Sequence, residues 1–175
     1  MKQTAHLLCI NPKCGETYPI ASRQIKCEKC GFLLDVEYKE KPPAKLKEIF
    51  YQRRSRDSIY NESGVWRFRE LLNFAEIETD DLDQCAKFLV SLDGAEGRQS
   101  KPYHMSKVAN FVGISNDSLM LQPEGYNPSG SFKDNGMASA VTHAKMTGAK
   151  KIICASTGNT SASAGMFAAN ENMEC

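Results

Sequence analysis

No stretch of this chain is apolar for long enough to form a membrane-spanning helix, and its 22 basic residues nearly cancel its 21 acidic ones, leaving a formal net charge of +1. The near-neutral balance removes any electrostatic argument for a nucleic-acid or membrane-surface partner. There is no basic stripe with interleaved aromatics either, since charges are mixed, as in Glu28-Lys29 and from Asp35 to Glu40. The early apolar run His6 to Ile10 is too short for a secretory signal and is cut by Asn11-Pro12-Lys13. A reducing, cytoplasmic setting is therefore expected. With 41% hydrophobic and 25% charged residues over 175 positions, what remains is ordinary globular composition, sized for one domain or a little more.

Cysteine is where the sequence departs from the ordinary. Four of the seven cysteines form two pairs, Cys9-x4-Cys14-Gly15 and Cys27-x2-Cys30-Gly31, twelve residues apart. One hairpin brings such pairs together, and four soft thiolate donors suit tetrahedral zinc. A glycine after each second cysteine lets the turn wrap with amides directed toward sulfur. Disulfides are disfavoured by a reducing compartment, simple burial by the polar residues around all four, and His6 could replace one ligand. Four protein ligands leave no open position, so the zinc is structural. Tyr18, Ile20, Ile25, Phe32, Leu34 and Val36 are the expected apolar face of this ribbon.

After the ribbon, Glu40 to Lys45 with Pro42-Pro43 reads as a linker, and Leu46 to Arg56 as a helix with Leu46, Ile49, Phe50 and Arg53 along one side. Arg53, Arg54 and Arg56 beside Glu48 and Asp57 read as a solvated face. Trp66, Phe68, Leu71 and Leu72 are expected to pack. Asp80 to Leu92 has helical spacing, Ser106 to Phe111 suggests a short helix, and Leu119 to Leu121 a strand.

That strand leads into Asn127-Pro128-Ser129-Gly130-Ser131-Phe132-Lys133-Asp134, a polar turn that opens an apolar-periodic helix with Met137, Ala140, Val141 and Ala144. Ser129 or Ser131 is the expected cap. Lys133 thus stands in the first turn, where an amine can act as a nucleophile toward an aldehyde, although an isolated lysine there is ordinarily a solvated surface residue. The helix ends at Thr147-Gly148; Lys151 to Ala155 reads as a short buried strand, and Ser156-Thr157-Gly158-Asn159-Thr160-Ser161 as a second polar turn before a helix over Ala162 to Ala169. In a parallel sheet two such turns face one pocket.

Together these two turns resemble the motifs of pyridoxal-phosphate enzymes with the tryptophan-synthase beta fold, and most closely those of the threonine synthase family; Ser63 to Leu72 resembles the segment before that family's catalytic core. The resemblance implies that Lys133 holds pyridoxal 5'-phosphate as a Schiff base, that Asn159 hydrogen-bonds the cofactor's phenolic oxygen, and that Ser156, Thr157 and Thr160 surround the substrate's carboxylate. Phe132 and Asp134 fit the first motif. The implied reaction converts O-phosphohomoserine and water to threonine and phosphate. The expected architecture is α/β: a zinc ribbon over 1–39 with Cys9, Cys14, Cys27 and Cys30 as ligands, a linker and helical segment over 40–92, and over 93–175 the incomplete first part of a fold-type II pyridoxal-phosphate domain.

The pattern departs from the family in places. Glu96-Gly97 is not followed by a Thr-Pro-Leu segment, Gln122 and Asn135 stand where lysine and arginine are common, and no glycine-rich loop for the cofactor phosphate is present. Weak or absent catalysis by this polypeptide alone is the expectation, with self-association through an unsupported sheet edge. Two alternatives stay open: another pyridoxal-phosphate lyase or beta-replacement enzyme acting on a related amino acid, and a zinc-ribbon interaction module with a vestigial enzyme half.

Overall fold

A computed structural model describes residues 5–38, 44–55, 61, 65–72 and 103–175. The helix expected over Asp80–Leu92, the Glu96-Gly97 departure and residues 40–43 of the linker lie outside the described residues. The fold is mixed α/β, and no described helix is long and apolar enough to cross a membrane.

Alternating side chains in the first segment build a three-stranded antiparallel sheet, with β1 (Ala5–Cys9) between β2 (Thr17–Pro19) and β3 (Leu34–Tyr38). Leu7 lies opposite both Tyr18 and Val36, and His6 Nε2 meets Glu37 at 2.9 Å. The expected apolar face is only partly covered. Tyr18, Ile20 and Leu34 are half-buried, whereas Ile25, Phe32 and Val36 are exposed. Strands of three to five residues offer too little area to cover both faces, so packing alone holds this unit weakly.

The next segment forms α1 (Leu46–Gln52), a 3-10 turn over Arg53–Ser55 and a 3-10 run over Trp66–Leu71. Phe50 meets Phe68 edge-on with ring centroids 4.9 Å apart, although Phe68 and Leu71 keep much of their surface exposed. Arg53 corrects the expectation of a solvated arginine face. It shares a helix side with Ile49 and Phe50, which turns it toward the 3-10 run, and both of its terminal nitrogens pair with the Glu70 carboxylate. Nη1 also donates to Arg67 O at 2.6 Å. Arg54 does remain exposed, lying over the Tyr51 ring.

A small antiparallel pair follows: β4 (Tyr103–His104) against β5 (Met120–Leu121), with α2 (Ser106–Phe111) between them. The chain then enters α3 (Lys133–Met146) and α4 (Asn159–Asn170), which pack on one another. The buried stripe of α3 is Asp134, Ala138, Val141 and Thr142, with Met137 and Ala144 packed beside it, so the expected face is met except at Ala140, which is exposed. On α4 it is Ser163, Ala164, Phe167 and Ala168. Small residues at the crossing let the helices approach closely. Trp66, fully buried, closes this cluster with Ala138, Val141, Phe167, Ala168 and Met173. The expected packing of Trp66 is therefore met, with Leu72 beside the cluster.

Lys151 to Ala155 is not the buried strand expected. Lys151 makes a single parallel bridge to Glu174, with Ile152 N donating to Glu174 O at 2.8 Å and Glu174 N to Lys150 O at 3.1 Å, while Ile153 is 90% exposed. A strand exists only through its neighbours. This pairing supplies one at a single position, so the segment begins a β-α-β unit without completing a ladder.

The Arg53–Glu70 pair carries a pH dependence. Burial pushes the Glu70 carboxyl upward, but the Arg53 hydrogen bonds outweigh it and hold the group below the usual glutamate range. A depressed folded pKa gives stability that is present above about pH 5 and is lost as pH falls through the folded value. In denaturant titrations the stability gap between wild type and Glu70→Gln is expected to be widest near neutrality and to close with acid; a gap constant from pH 7 to 3 would refute the assignment.

Candidate functional site

Two groups of chemically capable side chains stand out. The first is the cysteine cluster at the tip of the small sheet. Cys9 ends β1, Cys14 follows a turn in which its N–H and that of Gly15 donate to Asn11 O, and Cys27 to Gly31 form a second turn closed by Gly31 N–H on Cys27 O at 2.8 Å. The four sulfurs lie within 4.8 Å of one another, with Cys9–Cys30 at 3.4 Å and Cys14–Cys27 at 3.7 Å. These separations exceed a disulfide bond and approach the edge of a four-sulfur tetrahedron, about 3.8 Å for bonds of about 2.3 Å. His6 is engaged by Glu37 and is not among the four clustered ligand atoms.

Tyr18 is the neighbour that sequence reading missed in this role. Its hydroxyl donates to Cys27 Sγ at 3.4 Å and accepts from Glu28 N–H at 2.9 Å. This donation draws the Cys27 thiol down to about 6, while burial pushes Cys9 up to about 12. Position 18 had been legible only as an apolar strand residue.

The second group lies where α3 and α4 begin. Lys133 is the first residue of α3 and Asn159 the first of α4, so α4 starts three residues earlier than expected. Lys133 is half-buried as a residue; its amine lies 4.2 Å from the centre of the Phe132 ring and makes no ion pair among the described residues. Asn159, Ser156 and Thr157 are exposed, and Thr160 is half-buried. Ser156 Oγ accepts from Gly158 N–H at 3.1 Å, and Ser161 Oγ donates to Gly158 O, which shapes the second turn.

The cap at α3 differs from the expectation in detail. Phe132 occupies the cap position with no side-chain bond, while Ser131 Oγ accepts from Lys133 N–H at 3.3 Å. Asp134 reaches back to Ser129: Oδ2 accepts its N–H at 2.7 Å and Oδ1 its hydroxyl at 2.5 Å. Ser163 on α4 also donates to Asp134 Oδ1 at 2.5 Å. No motif marked Ser163, yet it stands four residues after Asn159 and so shares its side of the helix. Before and within the first turn of α3, Gln122, Asn127 and Asn135 donate amides to the Glu124 carboxylate at 2.9, 2.6 and 3.2 Å.

Residues 101–175 match the family described as pyridoxal-phosphate dependent enzyme. A threonine synthase of Methanocaldococcus jannaschii is 35% identical over 164 residues, which is 93% of this chain and 35% of that protein. One from Methanosarcina acetivorans is 33% identical over 165 residues, 94% of this chain and 34% of that protein. A threonine synthase of Bacillus sp. (strain ULM1) is 64% identical over 52 residues, 30% of this chain and 15% of that protein. The chain thus spans about a third of the length of the first two relatives.

Gly15 and Gly31 provide a test of the cysteine turns. Both adopt positive φ, 62° and 75°, and a Cβ at either would meet nothing within 4 Å. The need for glycine is therefore conformational. Gly31→Ala is expected to cost about 1 kcal/mol and Gly31→Asn less, because asparagine tolerates the left-handed region. Chemical denaturation of the two variants checks the order; equal loss in both would point to a steric cause.

Proposed function

We propose, for a sequence that is threonine synthase-like over 93–94% of its length, that α3 and α4 carry the cofactor-attaching part of a pyridoxal-phosphate-dependent lyase site, with a structural zinc ribbon beside it. The observation that carries the reading is that Lys133 and Asn159 each open one of two packed helices, with the Lys133 amine uncommitted to any carboxylate among the described residues. An amine without an ion pair, on a half-buried residue, fits attachment to an aldehyde.

Bound pyridoxal phosphate supplies an electron sink for carbanion chemistry. Lys133 anchors it and, through Nζ, moves protons to and from substrate carbon. Asn159 orients the ring from the first turn of α4, and Ser156, Thr157 and Thr160 receive the substrate's carboxylate. The substrate is O-phosphohomoserine, and the products are threonine and phosphate. The amides gathered on Glu124 favour a second substrate reading: Gln122 and Asn135, where the family commonly has lysine and arginine, are neutral donors committed to a carboxylate, which suits a related amino acid without a phosphate.

In the ribbon proposed over residues 1–39, Cys9, Cys14, Cys27 and Cys30 would hold Zn2+. The sulfur separations support this, and a site with four protein ligands leaves no position for substrate. Bound there, zinc would supply the cross-link that the sparse packing of the small sheet does not.

Two measurements test these assignments. Incubation with pyridoxal phosphate is expected to give a visible absorption band that shifts on adding an amino acid and is absent in Lys133→Ala; equal bands in both proteins would sink the assignment of Lys133. O-phosphohomoserine and an unphosphorylated homologue, compared as the added amino acid, decide between the two substrate readings. Metal analysis is expected to find one zinc per chain, lost in Cys27→Ser; a metal content unchanged by that substitution would remove the zinc site.

A further inference from the structure

Asp134 is 4% exposed, and among the described residues no cation pairs with its carboxylate. Burying a charge without a counter-ion is costly, and here three donors compensate it: Ser129 N–H, the Ser129 hydroxyl and the Ser163 hydroxyl. Two of the three come from the turn that delivers Lys133, and the third from the buried face of α4. Both hydroxyls converge on the same oxygen, Oδ1.

We infer that Asp134 is a positioning residue that fixes the register of α3 against α4 and so sets Lys133 against Asn159, an assignment that rests on the reading of Lys133 as the cofactor anchor. The argument follows from which contacts are directional. Ala138, Ala164 and Ala168 fill the crossing but present methyl groups that permit sliding and rotation. Hydrogen bonds at 2.5 Å to one oxygen permit neither. Lys133 is one residue from the pin on α3, and Asn159 is one turn from it on α4. Loosening the pin therefore displaces both groups relative to any ligand that touches them together. A misplacement on the ångström scale is enough to weaken two-point binding.

The test uses the whole chain and three variants, Ser163→Ala, Asp134→Asn and the double variant. Pyridoxal-phosphate affinity is read from the Lys133-dependent absorbance well below the melting temperature, alongside hydrogen exchange resolved by peptide. Ser163→Ala is expected to weaken cofactor binding about tenfold, as befits loss of a hydrogen bond to a charged group. It is also expected to speed exchange in the Ser129–Lys133 turn and the first turn of α4, leaving the ribbon unchanged. Because Ser163 acts through Asp134, the double variant should bind no more weakly than Asp134→Asn alone. A lower melting temperature with unchanged affinity and unchanged exchange at both turns would overturn the inference, leaving Asp134 a buried group that only stabilises. Additive losses in the double variant would overturn it as well. If the wild type shows no Lys133-dependent band, the reading of Lys133 fails separately. Exchange in the two turns then decides the register role alone: coupled loosening supports it, and none refutes it.

Discussion

The arrangement of the second half of the chain depends on one buried carboxylate. Asp134 lies on the stripe that α3 turns toward α4, where an apolar side chain would be the simpler choice. Its presence requires donors, and they come from the preceding turn and the facing helix. Close approach of the helices is in turn a requirement, because a hydroxyl as short as that of Ser163 reaches only across a crossing lined with alanine. Trp66 then seals the outer side of the pair with the largest buried side chain. Charge satisfaction, small residues and an aromatic cover are thus parts of a single solution.

The first half follows a different rule. Its sheet exposes Ile25, Phe32 and Leu33, and its order rests on two glycine-assisted turns that bring four sulfurs together. The two halves touch through directional bonds. Arg23 Nη2 donates to Thr147 O at 2.5 Å at the C-terminal end of α3, where carbonyls lack helical partners and a cation is favoured. Tyr38 Oη donates to Leu71 O at 2.7 Å. Arg23 and Lys133 therefore address opposite ends of the same fourteen-residue helix, about 21 Å apart along its axis.

Much of this was legible before any coordinates. The cysteine spacing announced the cluster, and the glycines announced the turns with positive φ. The order of helices, the first-turn position of Lys133 and the burial of Trp66 were also readable, because each depends on local chemistry or on one dominant side chain. What stayed hidden depends on partners distant in sequence. Arg53 looked solvated because Glu70, seventeen residues away, is its counter-ion. Ser163 carried no motif because its meaning comes from Asp134, twenty-nine residues earlier. Lys151 to Ala155 looked like a strand by composition, yet a strand is a property of a pair, and its pairing reaches only one position.

The place of Trp66 has a consequence for synthesis. The small sheet closes within its own first forty residues, so its contacts are available almost as soon as the segment emerges. Among the described residues the buried partners of Trp66 come late in the chain, since Val141, Phe167 and Met173 follow it by roughly 75 to 107 positions. At ribosomal rates of about 5–20 residues per second, it waits for roughly 5 to 20 seconds before its last partners exist. Nascent chains of this protein therefore make the small sheet's contacts while the buried partners of Trp66 on α3 and α4 do not yet exist, and that interval is when a chaperone has the most to offer.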